Sequence, residues 1–217
     1  MVTWSLIALM GDFGPPRLDG ESRLGYDESM KIKSAEFVKG VAGEDEILRD
    51  EIPQVAFIGR SNVGKSSVIN SLAGRELARS SSVPGKTREI NFYLINKEFY
   101  LTDLPGYGYA KASLEERDQL RQLILWYLLF ANIDHKKIVL IIDAEVGPTE
   151  QDMMMTRRIN ERQKDLIIVA NKSDKIKKSQ YQNQIRQLQA KFGINKVIPY
   201  SAKEGKGVAE LMMEIIK

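Results

Sequence analysis

Cysteine is absent from the 217 residues, so neither a disulfide frame nor a thiolate metal site can form, as suits a reducing compartment. Histidine is nearly absent. The one copy, His135, sits in the charged run Asp134-His135-Lys136-Lys137, which reads as a solvated turn and not as a catalytic base. No apolar run approaches the ~20 residues that cross a bilayer. The apolar opening from Met1 to Met10 has no basic leader and soon meets Asp12, which makes a poor secretory signal. These absences lead us to expect a cytoplasmic protein with no membrane partner. Neither sign of charge dominates either, since 32 basic and 29 acidic side chains leave +3. The charge is unevenly spread, with a balance of −4 over residues 1–50 and +7 over residues 51–217. A moderately basic body suits contact with RNA, although Lys172, Lys175, Lys177 and Lys178 read first as a solvated face. There is no zinc knuckle or RNA-recognition signature.

What is present is a phosphate-cradling loop. Gly59-Arg60-Ser61-Asn62-Val63-Gly64-Lys65-Ser66 fits G-x-x-x-x-G-K-[ST]. The apolar run Val55-Ala56-Phe57-Ile58 precedes it, and Ser67-Val68-Ile69-Asn70-Ser71-Leu72 follows with helical spacing. A strand turning through glycines into a helix aims backbone N–H groups and the positive helix end at one point. Lys65 adds a point charge there, and the Ser66 hydroxyl is a candidate Mg²⁺ ligand.

Four further stretches complete a nucleotide site. Asp165-Leu166-Ile167-Ile168-Val169-Ala170 reads as a buried strand delivering Asn171-Lys172-Ser173-Asp174 at its end. Guanine presents two adjacent donors, and the single carboxylate of Asp174 can accept from both. Asn171 would tie this base loop to the phosphate loop, and the Lys172 stem would lie on the purine face. After Phe99-Tyr100-Leu101-Thr102 comes Asp103-Leu104-Pro105-Gly106, where a strand-end carboxylate can hold Mg²⁺ through water and the Gly106 N–H can meet a terminal phosphate. Thr87 is the only threonine between Ser66 and Thr102, which makes it the natural second Mg²⁺ ligand. It lies with Gly85 and Lys86 in a polar run, residues 80–88, of loop composition. Last, Val197-Ile198-Pro199-Tyr200-Ser201-Ala202-Lys203 is a strand end that could bring the Ser201 and Ala202 backbone to the guanine carbonyl.

Strands are expected near 54–59, 90–96, 98–103, 138–143, 166–171 and 197–200, with helices near 64–74, 114–131, 149–163, 178–192 and 207–216. Only the second and third strands follow each other directly, through Asn96-Lys97, as an antiparallel hairpin. The other connections carry helices and should be parallel crossovers. This predicts a doubly wound α/β fold with a six-stranded, mostly parallel sheet, one antiparallel hairpin strand and helices on both faces. Residues 1–29 have loop composition and are expected to be a poorly ordered extension, ahead of a single domain over residues 30–217. Most residues of Met153-Met154-Met155 and Trp126-Tyr127-Leu128-Leu129-Phe130 are expected to face the core.

The ordered set Gly59 to Ser66, Thr87, Asp103 to Gly106, Asn171 to Asp174 and Ser201 to Lys203 resembles the Ras-like translation-factor GTPases. More narrowly, Gly59 to Ser67, Pro84-Gly85-Lys86-Thr87-Arg88 with Glu89-Ile90-Asn91-Phe92-Tyr93, and Asp103 to Lys111 look like the EngB GTPases. The resemblance runs from about Met30 to the C-terminus, and an edge strand within Met30 to Val38 resembles how family members begin. It implies a P-loop GTPase fold, GTP and GDP as ligands with Mg²⁺, a monomer, and a role on the large ribosomal subunit during its assembly, with a link to cell division. In the GTP state, Lys65, Thr87 and Gly106 would act on the terminal phosphate, and Tyr107, Tyr109 and Lys111 would meet the partner. Where Ras-like enzymes often carry a water-orienting glutamine, this chain has Tyr107, so slow intrinsic hydrolysis is expected. Two readings of Asn62 stay open, a turn stabiliser or a K⁺ ligand as in GTPases of the MnmE type. Two rivals also stand, a P-loop ATPase or kinase and a nucleotide-binding scaffold with negligible turnover.

Overall fold

The computed structural model describes residues 32–78, 89–108, 113–131, 133–193 and 195–217. The expected extension over residues 1–29, the loop carrying Gly85, Lys86 and Thr87, and the residues Tyr109 and Lys111 lie outside the described residues. Among the described residues seven strands and five α-helices follow in the order β1 (Ala35–Val41), β2 (Gln54–Gly59), α1 (Lys65–Ala73), β3 (Ile90–Ile95), β4 (Phe99–Asp103), α2 (Leu114–Leu125), β5 (His135–Asp143), α3 (Glu150–Glu161), β6 (Leu166–Asn171), α4 (Tyr181–Phe192), β7 (Lys196–Pro199) and α5 (Val208–Ile216). The sheet order is β1-β3-β4-β2-β5-β6-β7. Its two antiparallel pairs, β1 with β3 and β3 with β4, leave β3 as the one strand running against the rest.

The six strands read from apolar runs are all there, and the sheet has a seventh, β1. Only Ala35 and Val41 of this strand are buried, and its register shifts between Phe37 and Lys39. An edge strand that buries only its ends has neither an apolar run nor a clean alternation to announce it. The central strands differ. All six residues of β2 and of β6 are buried, as strands covered on both faces must be.

Successive residues of each central strand feed opposite cores. Ile58, Phe92, Leu140 and Ile168 pack with Ile124 of α2, Ile159 of α3 and Leu188 of α4. Phe57, Leu101, Ile141 and Val169 pack with Val68 and Leu72 of α1 and with Leu211 and Ile215 of α5. Helices therefore cover both faces, as the crossovers require. The tail of α2 continues through a π-turn, Trp126–Phe130, which buries Tyr127 and Leu128 and leaves Phe130 exposed. Met155 is buried and Met154 is exposed. Among the described residues no helix is long and apolar enough to cross a membrane.

His135 corrects the sequence reading. It opens β5 and is buried, with its ring edge-on to Tyr127 at 4.9 Å between centroids. Charged neighbours in sequence suggested solvent, but the Tyr127 ring from the π-turn closes over the histidine.

Candidate functional site

Strand register brings the polar motifs to one edge. Phe57 lies opposite Asp103, Gly59 opposite Ile141, Asp143 opposite Asn171, and Ala170 opposite Pro199. Gly59, Asp103, Asp143 and Asn171 thus end neighbouring parallel strands on the carboxyl side, and Tyr200 directly follows the end of β7, where open α/β sheets bind ligands.

The phosphate loop can be built only with glycine at two points. A Cβ on Gly59 would lie 2.7 Å from the Ile141 carbonyl oxygen. Gly64 caps α1 with φ at 91°, and a Cβ there would lie 2.4 Å from the Asn171 amide nitrogen. Between them Asn62 also takes a positive φ of 69°, and the buried Val63 anchors the loop. Lys65, Ser66 and Ser67 form the first turn of α1. The Lys65 ammonium is paired with the Asp103 carboxylate, and both are nearly buried. Leu104 and Pro105 are buried behind Asp103, and the Leu104 N–H donates to the Phe57 carbonyl at 3.1 Å. Gly106 sits against Ser61, whose N–H donates to the Tyr107 carbonyl at 2.9 Å. The phosphate loop and the third motif are thereby one hydrogen-bonded unit.

The base loop is bound to that unit. The Asn171 amide donates to the Val63 carbonyl at 2.9 Å and accepts the Ala202 N–H at 3.2 Å. Lys172, with φ at 64°, donates to the Asn62 carbonyl at 2.8 Å and to the Asp143 carboxylate at 2.7 Å. Ser173 donates its N–H to the Tyr200 carbonyl at 3.0 Å. Asp174 accepts from the Ser201 hydroxyl at 2.6 Å and is half-buried. Every described residue named from the sequence as a nucleotide contact, from Gly59 to Ser67, Asp103 to Gly106, Asn171 to Asp174 and Tyr200 to Ala202, falls in this one cluster.

Two aspartates were missed. Asp143 ends β5 as Asp103 ends β4, and that shared position after an apolar run was the available signal. Burial alone would raise its pKa, but Lys172 and the Val146 and Glu145 N–H groups hold it below the ordinary carboxylate value. Asp152, 1% exposed in α3, accepts the Tyr107 hydroxyl at 2.5 Å, and its other oxygen lies 3.6 Å from Arg60 Nε. Tyr107 is therefore no partner-facing residue. Burial first, then the Asp152 carboxylate, raise its pKa well above the ordinary value, so the phenol stays protonated and donating.

Ser66 and Asp103 offer hard oxygen donors at the same end of the sheet, which is the chemistry Mg²⁺ prefers. Among the described residues no three acidic or histidine side chains cluster into a metal cage.

The sequence model of the 50S ribosome-binding GTPase family matches residues 54–172, and that of the elongation factor Tu GTP-binding domain matches residues 134–217. A probable GTP-binding protein EngB of Caldanaerobacter subterraneus subsp. tengcongensis is 44% identical over 187 residues, covering 84% of this chain and 95% of the relative. Its counterpart in Clostridium perfringens is 43% identical over 187 residues, covering 84% and 94%. A crystal structure of a probable GTP-binding protein EngB superposes with a TM-score of 0.62 at 28% identity, over 75% of this chain and 96% of that one. Era, solved with MgGDPNP and nucleotides 1506–1542 of 16S ribosomal RNA, superposes at 0.61 and 27% identity, over 76% of this chain and 56% of that one. With identity of this degree along nearly the whole of its relatives, and a sheet edge built around a phosphate loop and a base loop, the chain belongs to the EngB family of GTP-binding proteins.

Proposed function

We propose that this protein is a slowly hydrolysing GTP switch that acts in the cytoplasm on the large ribosomal subunit during its assembly. The observation that carries the guanine-nucleotide part is the binding of the base loop to the phosphate loop through Asn171 and Val63. The loop amides from Arg60 to Lys65 and the Lys65 ammonium would neutralise phosphate charge, and Asp174 would read the guanine edge. Ser66 and Asp103, with Thr87, would hold Mg²⁺, which when bound spreads the negative charge of the transferring phosphoryl group. Lys65 would then leave the Asp103 carboxylate for phosphate oxygens.

The slow rate follows from Tyr107. Its hydroxyl is committed to Asp152 on α3, so the residue after Gly106 does not orient an attacking water. Water positioning must come from elsewhere, and a partner is the natural source. The ribosomal part is supported by the family described as 50S ribosome-binding and by the +7 balance of residues 51–217.

The test is co-sedimentation with separated large and small bacterial ribosomal subunits, in GDP and in a non-hydrolysable GTP analogue. Pelleting with the large subunit only in the analogue is expected. Pelleting with the small subunit alone, the outcome that the 16S RNA complex of Era would suggest, overturns the large-subunit assignment.

A further inference from the structure

Asp143 is joined to the phosphate loop by a relay that the nucleotide motifs do not include. One carboxylate oxygen accepts the N–H groups of Glu145 at 3.0 Å and Val146 at 3.3 Å, which fixes the turn after β5. The other accepts the Lys172 ammonium at 2.7 Å. That ammonium also donates to the Asn62 carbonyl at 2.8 Å. Asn62 holds a left-handed backbone, φ 69°, in the middle of the phosphate loop, a conformation that asparagine tolerates better than most residues but less freely than glycine. Lys172 has a left-handed backbone too, at 64°. The Lys172 ammonium thus bridges the phosphate loop, at the Asn62 carbonyl, and the end of β5, at Asp143, which is itself 7% exposed and aims it.

We propose that Asp143 is a positioning residue for guanine-nucleotide retention. It orients Lys172 so that the ammonium clamps the Asn62 carbonyl, and this keeps the phosphate cradle in its binding shape while the Lys172 stem is held straight beneath the base. Asp143 touches neither base nor phosphate in this scheme and acts through Lys172 and Asn62. The inference rests on the guanine-nucleotide reading of the site.

The experiment is stopped-flow release of a fluorescent GDP analogue from the full chain, alongside thermal unfolding of the nucleotide-free protein. Asp143→Asn keeps an oxygen for the turn N–H groups and removes the charge that holds Lys172. Release should quicken about tenfold or more, the scale of a lost charge-assisted hydrogen bond, with the unfolding midpoint little changed. Asn62→Gly supplies a residue that adopts positive φ without a clamp. In that background Asp143→Asn should change release by no more than about twofold, because the constraint it relaxes is no longer needed. A purely structural aspartate would show no such suppression. Unchanged release in Asp143→Asn, or an equal factor in both backgrounds, overturns the relay. If the unsubstituted protein fails to bind the GDP analogue, the nucleotide reading falls instead, so the two failures are distinguishable.

Discussion

At the scale of single residues, the candidate nucleotide contacts with local sequence signatures were legible, and the supporting side chains with distant partners were not. Lys65 and Asp174 stand at fixed offsets from Gly64 and Asn171, just after apolar runs, so local sequence nominates them. Asp143 finds its partner 29 positions away and Asp152 finds Tyr107 45 positions away, and no short pattern encodes either pairing. Asp174 carries the sharpest residue-level prediction. Its carboxylate presents two acceptors to the ring N–H and amino group of guanine, whereas an amide offers one acceptor and one donor. Asp174→Asn retains an oxygen for the Ser201 hydroxyl, now at 2.6 Å, so the loop should persist. GDP affinity should fall by about 2–3 kcal/mol, roughly a hundredfold, because one guanine donor loses its partner on desolvation. Xanthosine diphosphate, with a carbonyl in place of that amino group, should gain. Competition titration measures both, and ADP competing as well as GDP with the unsubstituted protein would return the site to an ATPase reading.

At the scale of elements, α3 shows how one helix start serves two purposes. Thr149 and Asp152 form a capping box, in which the Thr149 N–H donates to the carboxylate at 2.7 Å and the Asp152 N–H donates to the threonine hydroxyl at 3.4 Å. That reciprocal bond fixes the carboxylate, and Tyr107 donates to its remaining oxygen. The end of β4, the phosphate loop through Arg60, and α3 are thereby fastened at one buried point. Tyr107→Phe keeps the ring and the capping box and removes only the phenolic donor. It should cost about 1–2 kcal/mol of stability in urea denaturation, the penalty of a buried acceptor deprived of a partner. An unchanged midpoint would mean that the Arg60 guanidinium closes the remaining gap to the carboxylate. The expected helix spans were readable because caps and apolar spacing are local features. β1 was harder to delimit because its pairing with β3, rather than its own pattern, makes it a strand.

For the whole molecule, the two ends of the sheet are built on opposite principles. The carboxyl edge gathers charged groups that pair across loops, whereas the amino edge closes polar side chains inside the core. There the Tyr127 hydroxyl donates to Gln54 at 2.7 Å and contacts the Thr102 hydroxyl at 3.0 Å, and the Tyr127 ring covers His135. Neither His135 nitrogen has a well-formed hydrogen bond among the described residues. Burial first, then the Lys164 charge, hold its pKa down to about 3 from the ordinary 6.5, with the Ile133 backbone pulling weakly upward. Between those two values the unfolded chain binds a proton that the folded chain refuses. The stability contribution of the neutral ring is therefore full above 6.5 and is lost as pH falls towards 3. At pH 5 the loss from this group amounts to about 2 kcal/mol. His135→Phe keeps a ring against Tyr127 and cannot titrate. Carboxylates such as Asp143 and Glu214 titrate alike in both proteins and cancel in the comparison. Urea denaturation should thus find the two proteins similar at pH 8 and the phenylalanine variant the more stable by about that 2 kcal/mol at pH 5. A gap that stays constant with pH would mean that the histidine takes up its proton without leaving the fold, with the amino edge opening locally to admit water.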